Sequence, residues 1–393
     1  ASPALWVRLF GRGGCLLGVT RPNMQTKPRL YLPELDGLRF IAFLLVFIHN
    51  ASPLLQGTFL EKFSAYSWFG VDLFFALSGF LITKLLATEH EQTGTINVRN
   101  FYARRALRIL PLYFLFITFT AIITSSYQGW SPAVIVRVAG LATFSDNFLS
   151  AFRGLNFIAY SIHLWTISYE VQFYLIVPLA LNWLLKKDET TRQAVLAVIF
   201  TVGILIRALF IYQQASSTAI YVLPFTRFEA MLGGIALGLG IFNKPLSKLG
   251  TWLPFTIGFA CLTLVFTLPN FKVIGWNLMI TYPLVGIGAS LLLHALLRSP
   301  NAGFTTLFRN PLLVFLGRIS YGLYIYHIMA LVVTTNLFFR LGMSQKQVVG
   351  LYPVIFFLAL LLTIGISTIS YLCVENYFLK RKANFMSVCP GSL

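Results

Sequence analysis

Charged residues are scarce in this chain, and acidic residues are the scarcest. Aspartate and glutamate together number 12 among 393 residues, and all charged residues make up 11% of the chain, whereas about 25% is usual for a soluble protein. The hydrophobic fraction is 57% and the mean hydropathy is +0.76. So little charge cannot cover the surface of a soluble protein of this length. The composition therefore predicts a polytopic membrane protein.

Cysteine is also rare, and its spacing excludes two common uses. The four cysteines form no CxxC pair and show no His/Cys metal spacing, so neither a disulfide framework nor a zinc site is indicated. We predict no structural metal. No stretch has the alternating strand pattern of a soluble βαβ module, and no clear inverted repeat of the transporter kind is visible. The expected fold class is all-α.

Basic residues outnumber acidic ones, 30 against 12, which gives a net charge of +18. They cluster between apolar runs, where basic residues determine topology and contact anionic lipid headgroups. We therefore expect membrane lipids as partners and no nucleic acid.

Ten apolar runs suit helical spans of about 20 residues. They begin near Leu38, Trp68, Leu107, Trp165, Ala194, Thr226, Trp252, Gly275, Val314 and Gly350. An eleventh run, Ala133 to Phe152, is interrupted by polar residues, and a span there would move Lys186 and Lys187 to the outer side. Because basic loops favour the cytoplasm, we predict ten transmembrane helices with both termini cytoplasmic.

The two ends of the chain are expected to lie outside the folded domain. Residues 1–27 are dotted with arginine and interrupted by glycine, and their apolar part is too broken for a secretory signal. Met24 is interpreted as the native start. The transmembrane domain is predicted over residues 28–382, and residues 383–393 are predicted to be a disordered tail.

An apolar helix predicted from Glu34 to Asn50 carries Asp36 and Arg39 at its start and His49 far inside. An ionisable group in hydrocarbon costs ~2.5 kcal/mol or more and is a functional-site hypothesis by default. At about 1.5 Å rise per residue, His49 lies roughly 15 Å beyond Arg39. His49 is therefore the first candidate for a catalytic residue.

Three arginines, Arg104, Arg105 and Arg108, precede Pro111 where a further helix enters the bilayer. Arg104 and Arg108 are four residues apart and share a helix face. Two interpretations stay open at this point. Such residues anchor a helix at the cytoplasmic surface, and guanidinium groups also bind phosphate bidentately.

Other polar residues lie in or beside apolar helices. Glu170 has no lysine nearby in sequence, so it requires a tertiary partner or a proton. The remaining candidates are either substrate contacts or structural residues such as interface anchors, packing notches and hydrogen-bonding histidines. These candidates are Asp72, Ser78, His163, Trp165, Tyr324 and His327.

Six segments together resemble acyltransferase family 3, the integral-membrane O-acyltransferases that modify carbohydrates and related acceptors. The segments are LDGLRFIAFLLVFIH (35–49), GVDLFFALSGFLIT (70–83), FYARRALRILPLYF (101–114), HLWTISYEVQFYL (163–175), SYGLYIYH (320–327) and VENYFLKR (374–381). The resemblance implies acyl transfer, usually acetyl transfer, from cytosolic acyl-CoA to a hydroxyl of an acceptor at the extracytoplasmic face.

Together with the residues, the resemblance predicts roles for them. His49 is the expected general base, because neutral imidazole suits that role near physiological pH, and Asp36 or Glu170 is expected to orient it. Four arginines are expected to hold the CoA phosphates: Arg39, Arg104, Arg105 and Arg108.

The histidine stands one residue away from its usual position in the family. The family commonly has ten residues between arginine and histidine, whereas nine separate Arg39 from His49, and Asn50 occupies the usual histidine position. At 100° per residue, position 50 lies about 20° from Arg39 around the helix and position 49 lies about 80° away on the other side. We expect His49 to work from this shifted register through a local π-bulge.

The predicted function is membrane O-acyl transfer to a carbohydrate or lipid-linked sugar. A transporter or flippase for a polar substrate or acyl group is the alternative, and the arginine cluster joined to a membrane histidine favours the enzyme. The sequence contains no SGNH-type esterase segment, so a separate extracytoplasmic transferase is a candidate partner. The expected location is the bacterial inner membrane.

Overall fold

The computed structural model describes residues 32–154, 158–242, 246, 248–250, 252–381 and 385. In this part of the chain all regular structure is helical, and no strand occurs. The predicted extension, residues 1–27, lies outside the described residues, as does the predicted tail apart from Phe385.

Eighteen α-helices are described, and we number them in chain order. The first nine are α1 (Pro33–Asn50), α2 (Glu61–Tyr66), α3 (Gly70–Thr93), α4 (Val98–Gln128), α5 (Pro132–Ala142), α6 (Asp146–Arg153), α7 (Trp165–Leu184), α8 (Glu189–Tyr212) and α9 (Ser217–Val222). The others are α10 (Glu229–Gly238), α11 (Trp252–Leu264), α12 (Leu278–Arg298), α13 (Gly303–Phe308), α14 (Pro311–Arg318), α15 (Ser320–Arg340), α16 (Gln345–Gly350), α17 (Tyr352–Ser370) and α18 (Asn376–Arg381).

Six helical stretches of the described residues are long and apolar enough to cross a membrane: Glu61–Thr93, Val98–Gln128, Glu189–Tyr212, Leu278–Arg298, Ser320–Arg340 and Tyr352–Arg381. The chain is an integral membrane protein. Each of the ten predicted apolar runs contains an α-helix, but the number of spans stays a prediction. The interrupted run from Ala133 to Phe152 forms two helices of 11 and 8 residues, each too short for a hydrocarbon core of about 30 Å.

Helices α3 and α10 pack with their backbones close together. A Cβ atom at Gly79 would lie 2.4 Å from the carbonyl oxygen of Met231, and one at Gly234 would lie 2.2 Å from that of Ala76. Only glycine allows so close an approach, which is a common use of small residues between membrane helices. The packing notch predicted beside Ser78 therefore exists.

Helix α1 is α-helical throughout Pro33–Asn50. The π-bulge expected there is wrong, and the described residues form a π-helix at Tyr371–Glu375 instead. Because α1 is regular, successive side chains keep their 100° spacing, and His49 and Asn50 point to different sides of it.

Candidate functional site

A cavity of about 280 Å³ opens between α1, α3, α4, α7 and α15. Three arginines line it, Arg39 from α1 and Arg105 and Arg108 from α4, and we call it the arginine cavity. Its other polar lining residues are Ser78, Thr166, Glu170, Tyr174, Ser320, Tyr321 and Tyr324. The structure thus brings together predicted site residues from five segments of the sequence.

The positive charge of the arginine cavity is only partly neutralised. Arg39 Nη1 lies 2.5 Å from Asp36 Oδ1. Among the described residues, no carboxylate oxygen lies within the 4 Å ion-pair distance of Arg105 or Arg108, and the Arg105 guanidinium packs 5.3 Å from the centroid of the Tyr174 ring. Guanidinium groups left without a carboxylate and facing a cavity favour an anionic ligand, and phosphate fits them bidentately.

Glu170 lies in the wall of the same cavity and has two hydroxyl partners. Ser78 Oγ donates to Glu170 Oε1 at 2.5 Å, and the Tyr174 hydroxyl donates to the same oxygen. Glu170 therefore has the tertiary partners that its position in an apolar run required.

Arg104 is not part of the arginine cavity, although the sequence grouped it with Arg105 and Arg108. Its side chain is buried, its Nη2 lies 3.1 Å from Glu89 Oε2, and its Nη1 donates to the carbonyl oxygen of Phe385 at 2.7 Å. Arg105, rather than Arg104, thus accompanies Arg108 into the cavity, since these two lie one helical turn apart. Arg104 joins α4 to α3.

Asp72 and Trp165 also lie away from the arginine cavity, around an arginine that sequence reasoning missed. Arg227 Nε lies 3.1 Å from Asp72 Oδ1, and both side chains are buried. Four aromatic rings lie within 6 Å of the Arg227 guanidinium: those of Trp68, Trp165, Tyr221 and Tyr282. The signal was an arginine at the start of the run near Thr226, but its partner lies 155 residues away in sequence.

Asn50, His163 and His327 come together in the protein interior, and we call them the histidine cluster. The His163 and His327 ring centroids are 4.7 Å apart, and Asn50 Nδ2 lies 3.2 Å from His327 Nε2. Tyr324 connects this cluster to the arginine cavity, because its ring lies 5.2 Å from that of His163 while it also lines the cavity.

His49 lines a different cavity, of about 640 Å³, which we call the His49 cavity. The other residues lining it are Ser52, Thr58, Phe59, Glu61, Lys62, Ala65, Tyr66, Asn270 and Lys272. His49 Nδ1 lies 2.9 Å from the carbonyl oxygen of Ser64. Because a carbonyl only accepts, Nδ1 carries the proton and Nε2 is left as a base.

The expectation that Asp36 or Glu170 orients His49 is not met. Asp36 pairs with Arg39 near the start of α1, about 20 Å from His49 along the helix at 1.5 Å per residue, and Glu170 lies in the arginine cavity. The partner of His49 is instead a backbone carbonyl, which sequence patterns do not reveal.

No group of three or more His, Cys, Asp or Glu side chains suited to a metal ion occurs in the part of the chain that the structure describes.

The model of an acyltransferase domain family matches residues 32–372. A protein of Staphylococcus aureus strain COL, provisionally named an O-acetyltransferase, is 30% identical over 392 residues, covering 95% of this chain and 61% of its own length. O-acetyltransferase OatA of S. aureus strain NCTC 8325 / PS 47 is 27% identical over 396 residues, covering 94% of this chain and 60% of its own length. The chain spans about three fifths of the length of these relatives. No solved structure matches the chain at a significant level.

Proposed function

The chain belongs to acyltransferase family 3, and from that premise we propose that it transfers an acetyl group from acetyl-CoA to a hydroxyl of a carbohydrate or lipid-linked sugar. One observation carries the proposal. Arg105 and Arg108 face a cavity of about 280 Å³ without a carboxylate partner among the described residues. The phosphates of CoA are the anions that these guanidinium groups would bind.

The arginine cavity fits the donor better than the acceptor. Its three arginines would bind phosphates, and its remaining wall includes apolar side chains such as Phe74, Leu81 and Ile109, against which the acyl-bearing arm of CoA would lie. Each charged hydrogen bond to a phosphate contributes about 1.5 to 3 kcal/mol. Asp36 holds Arg39 in place for this contact.

The acceptor hydroxyl, in this proposal, enters the His49 cavity. His49 Nε2 would take the hydroxyl proton as general base, and a neutral imidazole near pH 7 suits that step. The exposed ring of Phe59 and the side chains of Lys62 and Lys272 line the same cavity, and they offer an aromatic and polar surface to a sugar. The other candidate substrate contacts, among them Ser78 and Tyr324, would border the donor.

The proposed orientation places the arginine cavity toward the cytoplasm and the His49 cavity toward the outside. The distribution of basic loops supports ten spans with both termini cytoplasmic, in the plasma membrane of a bacterium. Because the relatives are longer than this chain, a separate extracytoplasmic transferase stays a candidate partner that would carry the acetyl group further.

Incubation of the purified protein with acetyl-CoA labelled in the acetyl group and a panel of sugars tests this function. The expected product is an acceptor carrying a base-labile labelled ester. Movement of an unmodified acceptor across a vesicle membrane, without ester formation, would instead support the transporter alternative.

A further inference from the structure

His163 is a buried side chain whose ring nitrogens lack partners. It is 4% exposed, and within the described part of the chain neither Nδ1 nor Nε2 has a hydrogen-bond partner. A buried polar group without a partner costs free energy, and such groups in a folded protein call for an explanation. A ligand that approaches the ring would supply one.

The neighbouring histidine is fully engaged. His327 Nδ1 lies 2.6 Å from the carbonyl oxygen of Tyr324, so this nitrogen carries the proton. His327 Nε2 then accepts from Asn50 Nδ2, which also donates to the carbonyl oxygen of Val46 at 2.9 Å. His327 is therefore held as one neutral tautomer.

His163 differs from His327 and His49 in that no hydrogen bond fixes its tautomer. One of its nitrogens offers a lone pair and the other a proton that can leave. This combination is what an imidazole nucleophile needs, and histidine is among the side chains that form covalent intermediates.

The position of His163 lies between the two cavities. On one side, Tyr324 and Thr166 line the arginine cavity, their hydroxyl oxygens lie 2.7 Å apart, and the Tyr324 hydroxyl donates to the His163 carbonyl oxygen at 3.2 Å. On the other side, Asn50 of the histidine cluster is the chain neighbour of His49. An acyl group that passes from one cavity to the other would therefore pass His163.

Building on the proposed function, we propose that His163 is the nucleophile that carries the acyl group between donor and acceptor. Its unprotonated nitrogen attacks the thioester carbon, the carbon–sulfur bond breaks, and the leaving thiolate takes the proton from the other ring nitrogen. This gives free CoA thiol and a neutral acyl-imidazole.

In the second step the acceptor hydroxyl attacks the acyl carbon and the carbon–nitrogen bond breaks. The hydroxyl proton goes to His49 Nε2 and then to the released His163 ring, which restores both histidines. His327 is a positioning residue, because it packs against the His163 ring and is itself held by Asn50.

Isotope exchange without an acceptor tests this step. The full-length protein is incubated with unlabelled acetyl-CoA and labelled CoA, and label in acetyl-CoA is measured. The wild type should exchange. His163→Gln should lose both exchange and transfer by roughly 10³-fold or more, as expected for removal of a covalent nucleophile, while its affinity for acetyl-CoA stays within about 2-fold. His49→Ala should keep exchange and lose transfer.

A second measurement covers the case in which His163→Gln does not fold. Wild-type protein quenched after incubation with labelled acetyl-CoA should carry the label on the peptide that contains His163. Transfer to an acceptor without exchange or labelled peptide would overturn the acyl-histidine step and leave the proposed function intact. Absence of transfer to every acceptor, with no donor binding, would instead reject the proposed function.

Discussion

Asn50 in α1 and His327 in α15 are joined side chain to side chain, with Asn50 Nδ2 3.2 Å from His327 Nε2. Asn50 stands where the family commonly has a histidine after Arg39. In this chain the imidazole at that depth is supplied from the facing helix, so the site has a histidine on each side of position 50. His49 serves the His49 cavity, whereas His327 and His163 lie together on the other side of α1.

The orientation in the membrane can be tested with tags at the N-terminus, in the loop containing Lys186 and Lys187, and at the C-terminus. All three tags should report the cytoplasm, because basic loops stay on that side. Protease protection in inside-out and right-side-out vesicles measures this. A tag that is cleaved from outside intact cells would contradict ten spans with cytoplasmic termini.

The donor site predicts that the double substitution Arg105→Gln and Arg108→Gln weakens acetyl-CoA binding. Loss of two phosphate contacts at about 1.5 kcal/mol or more each should lower the affinity by at least roughly 100-fold. Titration calorimetry on the purified protein measures it. Arg99→Gln is the matched control, since Arg99 begins the same helix but is exposed and does not line the cavity. Equal affinity of the double variant and this control would return Arg105 and Arg108 to an anchoring role.

Arg104 should behave differently from its neighbours on α4. Arg104→Gln leaves the buried Glu89 carboxylate without its ion-pair partner, and breaking such a pair costs about 3 to 5 kcal/mol. We expect a lower thermal unfolding temperature in detergent with little change in acetyl-CoA affinity. If Arg104→Gln instead lost donor binding at unchanged thermal stability, Arg104 would belong with the donor site as the sequence first indicated.

Much of the fold was predictable, because each apolar run of the sequence contains a helix. The partners of charged residues were not predictable. In a membrane protein the lipid-facing side of a helix is as apolar as its core-facing side, so the sequence around Arg104, Arg105 and Arg108 does not tell which of them turns inward. The pairing of Asp72 with Arg227 depends on tertiary packing across 155 residues.

The candidate site was predicted as a set of residues but not as an arrangement. Apolar surroundings marked His49, His163, Glu170 and His327 as residues needing an explanation, and the structure shows that they belong to different places. The separation of His49 from the arginine cavity follows from the length of α1, since about 15 Å lies between Arg39 and His49.

The final prediction concerns His49 and its neighbour. If His49 is the base, His49→Ala should lower acetyl transfer by about 10² to 10⁴-fold, the usual contribution of general-base catalysis, while acetyl-CoA affinity and thermal stability stay close to those of the wild type. His90→Ala is a matched control, because His90 lines neither cavity. Adding Asn50→His to His49→Ala should not restore transfer, because the side chain at position 50 points to His327 and not into the His49 cavity. Rescue by Asn50→His would show that the family's histidine position is competent here, and full activity of His49→Ala alone would remove His49 from the mechanism.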